Sequence, residues 1–337
     1  MAYYQTRNMI RLAREAVGLT REELADNICS VQTLYRMETG KTKVKRDVYT
    51  ALMGRLERFS EKNYAFFSSA DIEKMEEKLE LDYAVSVHDY KKAYEHLCRL
   101  EAEAEDSIIN QQVLKTERAI VYTKLGMLEQ SEALKKYQEA IALTIPDYRK
   151  YLESGYPFTD TEYVVLMNIA AAYYNLENYE ETVIVCKMII KSLNLGYMSL
   201  QETGEIRICI KQTLATAMMK LEKYAEAKIL LEEAKAEAQI YEYGITLPGI
   251  LGALACNIFC QIDKGLLEIT DKEVANGYIR QGYFVSLAEE NQEAIQYFEY
   301  LIQDYLKEDI DEFLGLKEKQ ESLKDMMCEQ KYLAYKK

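Results

Sequence analysis

The chain has 337 residues, which is enough for two or more domains with a sizeable core, and a formal net charge of −14. So acidic a chain cannot attract nucleic acid over most of its surface. Only 3 Pro and 14 Gly occur, which favours helices throughout, because both residues destabilise helix interiors.

Sequence signals of a metal site, a cofactor site or a catalytic centre are missing. The seven cysteines are scattered without paired spacing, and no Cys/His cluster has the spacing of metal ligands. No glycine-rich phosphate loop or nucleophile elbow occurs either. We therefore predict no cofactor, no metal and no enzymatic activity.

The same sequence indicates a cytoplasmic protein. Its N-terminus, MAYYQTRNMI, has no apolar signal core, and the scattered cysteines suit a reduced compartment. The longest apolar run, LPGILGALACNIFCQI, is predicted to be too short and too polar at its ends to span a bilayer.

Charge divides the chain into two parts. The first 60 residues hold 11 Lys and Arg against 7 Asp and Glu, a net charge of +4, so the remainder carries −18. Long-range attraction to nucleic acid can therefore come only from the first part. The acidic remainder would repel phosphate and needs a different role.

The basic part shows the start and stop signals of a compact helical module. Apolar residues recur at helical spacing in TRNMIRLAREAVG, and Gly18 ends that helix. Thr20, with Glu23 three residues later, forms a capping box that begins a second helix. Ser30 caps a third helix, VQTLYRMET, and DVYTALMGRLERF is predicted to form a closing helix.

The third helix, which Gly40 ends, is predicted to bury Leu34 and Met37 and to expose polar residues. Two short helices at a sharp turn, the second polar on its outer face, form a helix-turn-helix whose second helix fits the major groove of DNA. The alternative is a small helical bundle with a solvated basic loop. The predicted DNA-binding residues are Arg21, Ser30, Val31, Gln32, Thr33, Tyr35, Arg36, Lys41, Lys43, Lys45 and Arg46.

These residues divide by role. Gln32, Tyr35 and Arg36 would read base edges, while Thr33 and the basic residues that follow the helix would hold the DNA backbone. Arg21 would add a phosphate donor near a helix N-terminus. A homodimer would place two such helices about one DNA turn apart on a palindromic double-stranded site.

The motif GLTREELADNI…TLYRMETGK resembles the Xre/Cro-type helix-turn-helix across residues 7–59. That resemblance implies a buried structural ion pair between Arg14 and Glu38. The family usually has Gln where this chain has Arg21, which keeps a phosphate contact plausible. The segment NICS resembles the Rgg/PlcR branch of peptide-sensing (RRNPP) regulators, whose members bind signalling peptides.

The acidic remainder contains internal repeats that resemble tetratricopeptide units across residues 74–306. The strongest repeats are IAAAYYNLENYEETVIVCKMI and LATAMMKLEKYAEAKILLEEA. Weaker partial repeats occur before and after them. The small-residue anchor positions of the repeats are 93, 133, 182, 227 and 294, and GILGALACNIFCQID lies in the last gap as an additional helix. A generic helical bundle is the alternative, and it stays open for residues 245–337.

We therefore predict an all-α fold in which a helix-turn-helix domain precedes a tetratricopeptide-like α-solenoid. The predicted domains are a DNA-binding domain over residues 1–60, a linker over 61–73, and a sensor and dimerisation domain over 74–337. A stack of helix pairs has a concave inner face, lined by the first helix of each pair. The polar residues that we predict there as contacts for a short signalling peptide are Lys124, Asn168, Tyr174, Asn175, Gln212, Lys220 and Asn257.

The sequence predicts a DNA-binding regulator in which peptide binding to the repeats shifts the two DNA-binding heads relative to each other. Two rival interpretations remain. One is a scaffold whose repeats bind another protein, with the front module serving dimerisation alone. The other is an enzyme-like role such as the phosphatase activity of some repeat relatives of peptide sensors, although no catalytic cluster is visible.

Overall fold

The computed structural model describes residues 10–11, 14–15, 17–39, 41–42, 46–56, 72–103, 108–154, 156, 158–194, 200–241 and 243–315. Every regular element within these ranges is helical, so the predicted all-α fold class is confirmed. The chain divides into two compact units, residues 1–246 and 247–337.

Helix α1 comprises the helical residues described between positions 10 and 17. The following helices are α2 (Arg21–Ala25), α3 (Val31–Glu38), α4 (Arg46–Arg55), α5 (Ile72–Ser86), α6 (Tyr90–Glu103), α7 (Ile108–Lys124), α8 (Gln130–Thr144), α9 (Tyr148–Ser154), α10 (Asp160–Asn175), α11 (Tyr179–Leu193), α12 (Leu200–Lys220), α13 (Tyr224–Ile240), α14 (Leu247–Asp263), α15 (Lys272–Ala288), α16 (Gln292–Tyr300) and α17 (Ile310–Phe313). Most of the predicted linker, residues 61–73, lies outside the described residues. Helix α5 begins at Ile72.

The first four helices enclose a small apolar core. Gly18 ends α1 in the left-handed region, with φ at +77°, as the sequence predicted. Helix α2 packs against both α3 and α4. The core side chains are at most 1% exposed, and they are Ile10, Leu24, Leu34, Leu52 and Leu56.

Helices α5 to α13 stack as successive antiparallel pairs. Helix α5 packs on α6, α7 on α8, α10 on α11, and α12 on α13. The second helix of each pair also contacts the first helix of the next, and α10 contacts both α7 and α12. The short α9 is an addition that packs on α11. This alternation is the arrangement that the tetratricopeptide-like repeats predict.

The repeat anchors explain how closely these helices pack. Ala93, Ala133, Thr182 and Ala227 are all 0% exposed, so four of the five predicted anchor positions lie in the core. Small side chains at these positions let the two helices of a pair approach each other. The fifth anchor, Ala294, lies in the second unit and is half-buried.

The second unit is built around the apolar helix α14, which packs against α15. The stretch Gly244–Asp263 is 20 residues long and, by length and composition alone, apolar enough to cross a bilayer, contrary to the expectation from sequence. However, 56% of an 18-residue apolar stretch within it is buried inside the protein. The core around α14 contains Phe259, Ile279 and Phe298, so α14 is the core helix of this unit.

We expect Gly282→Ala in α15 to destabilise the second unit. A Cβ added at Gly282 would lie 2.7 Å from Cε1 and 2.8 Å from Cε2 of the fully buried Phe298, and overpacking of this kind destabilises by about 1–3 kcal/mol. The matched control is Gly277→Ala in the same helix, where a Cβ meets nothing within 4 Å. Alanine there should stabilise the helix by up to ~1 kcal/mol. Urea unfolding followed through an α15 fluorophore checks both signs, and equal shifts would contradict the packing argument.

Candidate functional site

Helix α2 is held at both ends by side chains. At its start, Thr20 Oγ1 accepts a hydrogen bond from the Glu23 amide at 3.1 Å, and the Thr20 amide donates to Glu23 Oε2 at 2.7 Å. The predicted capping box is therefore confirmed, and the hydrogen bonds that the Glu23 carboxylate accepts from the amide and hydroxyl of Thr20 lower its pKa. At its end, the Arg55 guanidinium from α4 donates to the carbonyls of Glu23 and Leu24, both at 3.3 Å.

A short turn delivers the chain from α2 into α3. Asn27 takes a left-handed conformation with φ at 54°, which asparagine tolerates better than most residues. Ser30 then caps α3, because its hydroxyl accepts a hydrogen bond from the Thr33 amide at 3.0 Å. The left-handed residue Asn27 and the cap at Ser30 therefore define how the chain turns from α2 into α3.

Helix α3 presents opposite faces to the core and to solvent. Leu34 and Met37 are buried at 0% and 3% exposure, as the sequence predicted. The outward face carries four exposed residues of the predicted DNA-binding set, while Thr33 is half-buried. The exposed residues are Val31, Gln32, Tyr35 and Arg36.

Below this face, Glu38 holds two arginines. Its side chain is 0% exposed and accepts hydrogen bonds from Arg14 Nε at 2.6 Å and from Arg14 Nη2 at 3.2 Å. Arg21 Nε donates to Glu38 Oε2 at 2.6 Å, the same oxygen that accepts from Arg14 Nη2. Burial alone would lower the pKa of Arg14, but its hydrogen bond and charge interaction with Glu38 raise that pKa overall. Glu38 therefore ties α1 and α2 to α3.

Two of the predicted phosphate donors, Arg21 and Lys41, lie close to the aromatic ring of Tyr35. The Arg21 guanidinium lies 5.4 Å from the ring centroid of Tyr35, and the Lys41 ammonium lies 5.7 Å from the same centroid. Arg21 is half-buried, while Lys41 is exposed. Gly40, Lys43, Lys45 and the side chain of Arg46 lie outside the described residues.

Six of the seven predicted peptide contacts lie on three neighbouring helices of the repeat stack. Asn168 donates from Nδ2 to the Val164 carbonyl of its own helix at 2.9 Å, and the Tyr174 ring packs on Tyr179 with centroids 5.5 Å apart. Gln212 is half-buried. Helices α7, α10 and α12 each end in one of the three exposed contacts, which are Lys124, Asn175 and Lys220.

Asn257 has a different environment. It lies in α14 of the second unit, is 1% exposed, and its Oδ1 accepts a hydrogen bond from Gln261 Nε2 at 2.7 Å. A buried amide that is satisfied within its own helix offers no surface to a ligand. We therefore leave Asn257 out of the candidate peptide site.

The repeat stack also contains Lys78 and Asp82 of α5, two charged residues that the sequence did not point to. Lys78 of α5 lies 3.4 Å from the buried Glu117 of α7 and pairs with Asp82. Burial raises the pKa of Glu205 in α12, and the Asp82 carboxylate raises it further. The pair between Lys78 and Glu117 thus joins α5 to α7, and α10 in turn contacts both α7 and α12. No periodic signal links such distant positions.

Comparisons with known proteins show similarity to one domain family and to several solved structures. Residues 9–57 match the family model described as a helix-turn-helix domain. No curated protein sequence matches the chain significantly.

Solved structures match over most of the chain. The structure of Bacillus thuringiensis PlcR in complex with the peptide PapR7 and DNA matches with a TM-score of 0.55 and 16% identity, covering 88% of this chain and 99% of that one. The apo form of the same protein matches with a TM-score of 0.54 and 14% identity, covering 87% and 98%. Residues 9–57 are therefore a helix-turn-helix domain, and the chain shares its all-α fold with PlcR.

Proposed function

We propose that this protein is a sequence-specific, DNA-binding transcription regulator that acts as a homodimer in the cytoplasm. The observation that carries the proposal is the outward face of α3. Gln32 and Arg36 are exposed above the buried Leu34 and Met37, within a matched helix-turn-helix domain. Gln and Arg side chains have the geometry to form paired hydrogen bonds with adenine and guanine.

The distribution of charge supports the same assignment. A net charge of +4 on the first 60 residues, against −18 on the rest, lets only this end approach phosphate. Lys41 is exposed directly after α3, where it can reach the DNA backbone beside the helix that reads bases. A dimer would set two such helices about one DNA turn apart on a palindromic site.

We further propose that the repeat helices bind a short signalling peptide. The protein that matches this fold, PlcR, has been solved with a peptide and DNA. In this chain, neighbouring helices α7, α10 and α12 carry Asn, Gln, Tyr and Lys side chains, which suit the main chain of an extended peptide. Helix α10 contacts both others, and it would supply the exposed amide of Asn175 together with the side-chain oxygen of Asn168, whose Nδ2 is bonded within the helix.

Peptide binding would regulate DNA binding through the relative placement of the two heads in the dimer. A ligand can shift such an equilibrium only by binding one arrangement more tightly than the other. The segment between α4 and α5 would transmit the change, since it joins the head to the first repeat helix.

The primary test is selection of duplexes from a randomised library by the full-length protein. We expect enrichment of a palindromic sequence whose affinity falls steeply with salt. If no duplex is enriched at low salt, and the protein remains dimeric, the scaffold interpretation replaces the regulator.

For the peptide site, we expect Asn168→Ala combined with Asn175→Ala to weaken binding of a library-selected peptide by roughly tenfold or more, because each lost amide removes main-chain hydrogen bonds worth about 0.5–1.5 kcal/mol. Titration calorimetry with a peptide enriched from a random library measures the change. The control is Lys187→Ala, an exposed position on α11, the second helix of its pair. Equal affinity of the double variant and the control would contradict this placement of the site.

A further inference from the structure

A single side chain, that of Arg21, links the buried carboxylate of Glu38 to the exposed ring of Tyr35. Its Nε lies 2.6 Å from Glu38 Oε2, and its guanidinium carbon lies 5.4 Å from the Tyr35 centroid. Tyr35 and Glu38 are three residues apart and therefore neighbours on the surface of α3. Arg21 itself belongs to α2. Arg21 of α2 therefore contacts a buried residue, Glu38, and an exposed residue, Tyr35, of the same helix α3.

This geometry restrains both partners. The guanidinium of Arg21 is held by a charge-assisted hydrogen bond to Glu38, whose side chain is 0% exposed. If Arg21 moved away, the buried carboxylate would lose one of its compensating cations, which is unfavourable. The planar cation over the Tyr35 ring then favours one ring position, although that ring is 43% exposed. An unrestrained exposed tyrosine would sample several rotamers.

A concave surface beside this contact involves the N-terminal part of α3, from Val31 to Tyr35. It is lined by residues of all three helices, including Arg14, Thr20, Val31 and Gln32, together with Arg21 and Tyr35. Tyr35 and Gln32 are again three residues apart on one face. The position of the Tyr35 ring thus affects the space in which Gln32 must meet a base.

We propose that Arg21 is a positioning residue that sets the sequence preference of α3 by holding the Tyr35 ring, and that it is not chiefly a phosphate anchor. The inference rests on the proposed DNA-binding function and deepens it. It differs from the expectation from sequence, in which Arg21 contributes a phosphate contact. Lys41, which lies beside the same ring and has no described bond to Glu38, is the cation we assign to phosphate.

The test uses full-length protein and the duplex that wild-type protein enriches from a randomised library. Arg21→Lys keeps the charge but lacks the extended planar guanidinium that bonds Glu38 and contacts the Tyr35 ring at the same time. We expect it to keep its affinity for random duplex and its salt dependence. The ratio of its affinities for enriched and random duplex should fall on the order of tenfold, the discrimination associated with one good base contact. Re-selection with this variant should yield a changed base preference.

The matched control is Lys41→Gln, which should weaken binding to all duplexes alike and reduce the slope of log affinity against log salt by about 0.9. A cycle with Tyr35→Leu separates positioning from general damage to the fold. If Arg21 acts through Tyr35, Arg21→Lys should change the affinity ratio no further in the Tyr35→Leu background. Thermal unfolding of each variant identifies any loss of folded protein.

Distinct outcomes overturn the inference or its foundation. If Arg21→Gln lowers the salt slope by about 0.9 and leaves the base preference unchanged, Arg21 is a phosphate anchor and the inference is wrong. An unchanged affinity ratio for Arg21→Lys would also overturn it, while the proposed function stands. Failure of the wild-type protein to enrich any duplex would remove the proposed function and this inference with it.

Discussion

Replacing Glu38 with alanine is expected to destabilise the helix-turn-helix domain by roughly 3–5 kcal/mol, because breaking a buried ion pair leaves an uncompensated charge. Here the loss strands two cations, since both Arg14 and Arg21 lie 2.6 Å from this carboxylate. A module of about 60 residues has a small core and marginal stability. We therefore expect a large fraction of the Glu38→Ala molecules to have an unfolded head at 37 °C.

Hydrogen exchange followed by mass spectrometry can measure this effect locally. Amides of α2 and α3 should exchange much faster in Glu38→Ala, while amides of α10 to α13 in the repeat stack serve as an internal reference. The matched control is Glu15→Ala. Glu15 also accepts a hydrogen bond from Arg14, at 3.1 Å, but its side chain is 52% exposed. An exposed pair of this kind contributes at most about 1 kcal/mol.

The two variants therefore separate burial from charge pairing as such. If Glu15→Ala and Glu38→Ala accelerate exchange in α2 equally, the shared buried carboxylate is not what holds the three helices together. A strong effect of Glu38→Ala on the repeat helices would instead indicate that the head and the repeats unfold as one cooperative unit.

Replacing Gln32 and Arg36 together with alanine is expected to abolish most sequence-specific DNA binding. Both side chains are exposed on the outward face of α3, and each bidentate base contact contributes about 1–3 kcal/mol of discrimination. Affinity for the enriched duplex should therefore fall on the order of a hundredfold or more. The fold should be unaffected, because the core side of α3 is made by Leu34 and Met37.

Fluorescence anisotropy with enriched and random duplexes, each at several salt concentrations, measures the effect. Affinity for random duplex and its salt slope should stay close to wild type, because neither residue is assigned to phosphate. If the double variant loses affinity for both duplexes alike and its slope falls, Gln32 and Arg36 are backbone contacts, and bases are read elsewhere on the domain.

Local sequence signals were sufficient for the helix-turn-helix. The capping box at Thr20, the stop at Gly18 and the burial of Leu34 and Met37 all follow from residues within a turn or two of each other. The repeats were recognisable for a related reason. Their small anchors must be small wherever two helices approach, so Ala93 and Ala227 mark the same packing in different pairs.

The relationships between distant residues were not contained in such signals. The resemblance to Xre/Cro-type domains implied the pairing of Arg14 with Glu38, but not that Arg21 shares the same carboxylate. Helical spacing put Asn257 in an apolar helix, yet only packing showed it to be buried and satisfied by Gln261. Spacing along one helix defines a face, and it leaves open what that face meets.

The sequence by itself determined the helical class, the basic head, the acidic repeats and the residues that line each helix face, because propensity, capping and periodicity act over a few residues. Only the tertiary structure decided which charges meet. Arg21 reaches Glu38 across 17 positions, and Lys78 reaches the buried Glu117 across 39. Such partners are chosen by the packing of whole helices, since a buried charge must find a counter-charge among whatever side chains the fold brings within a few ångströms.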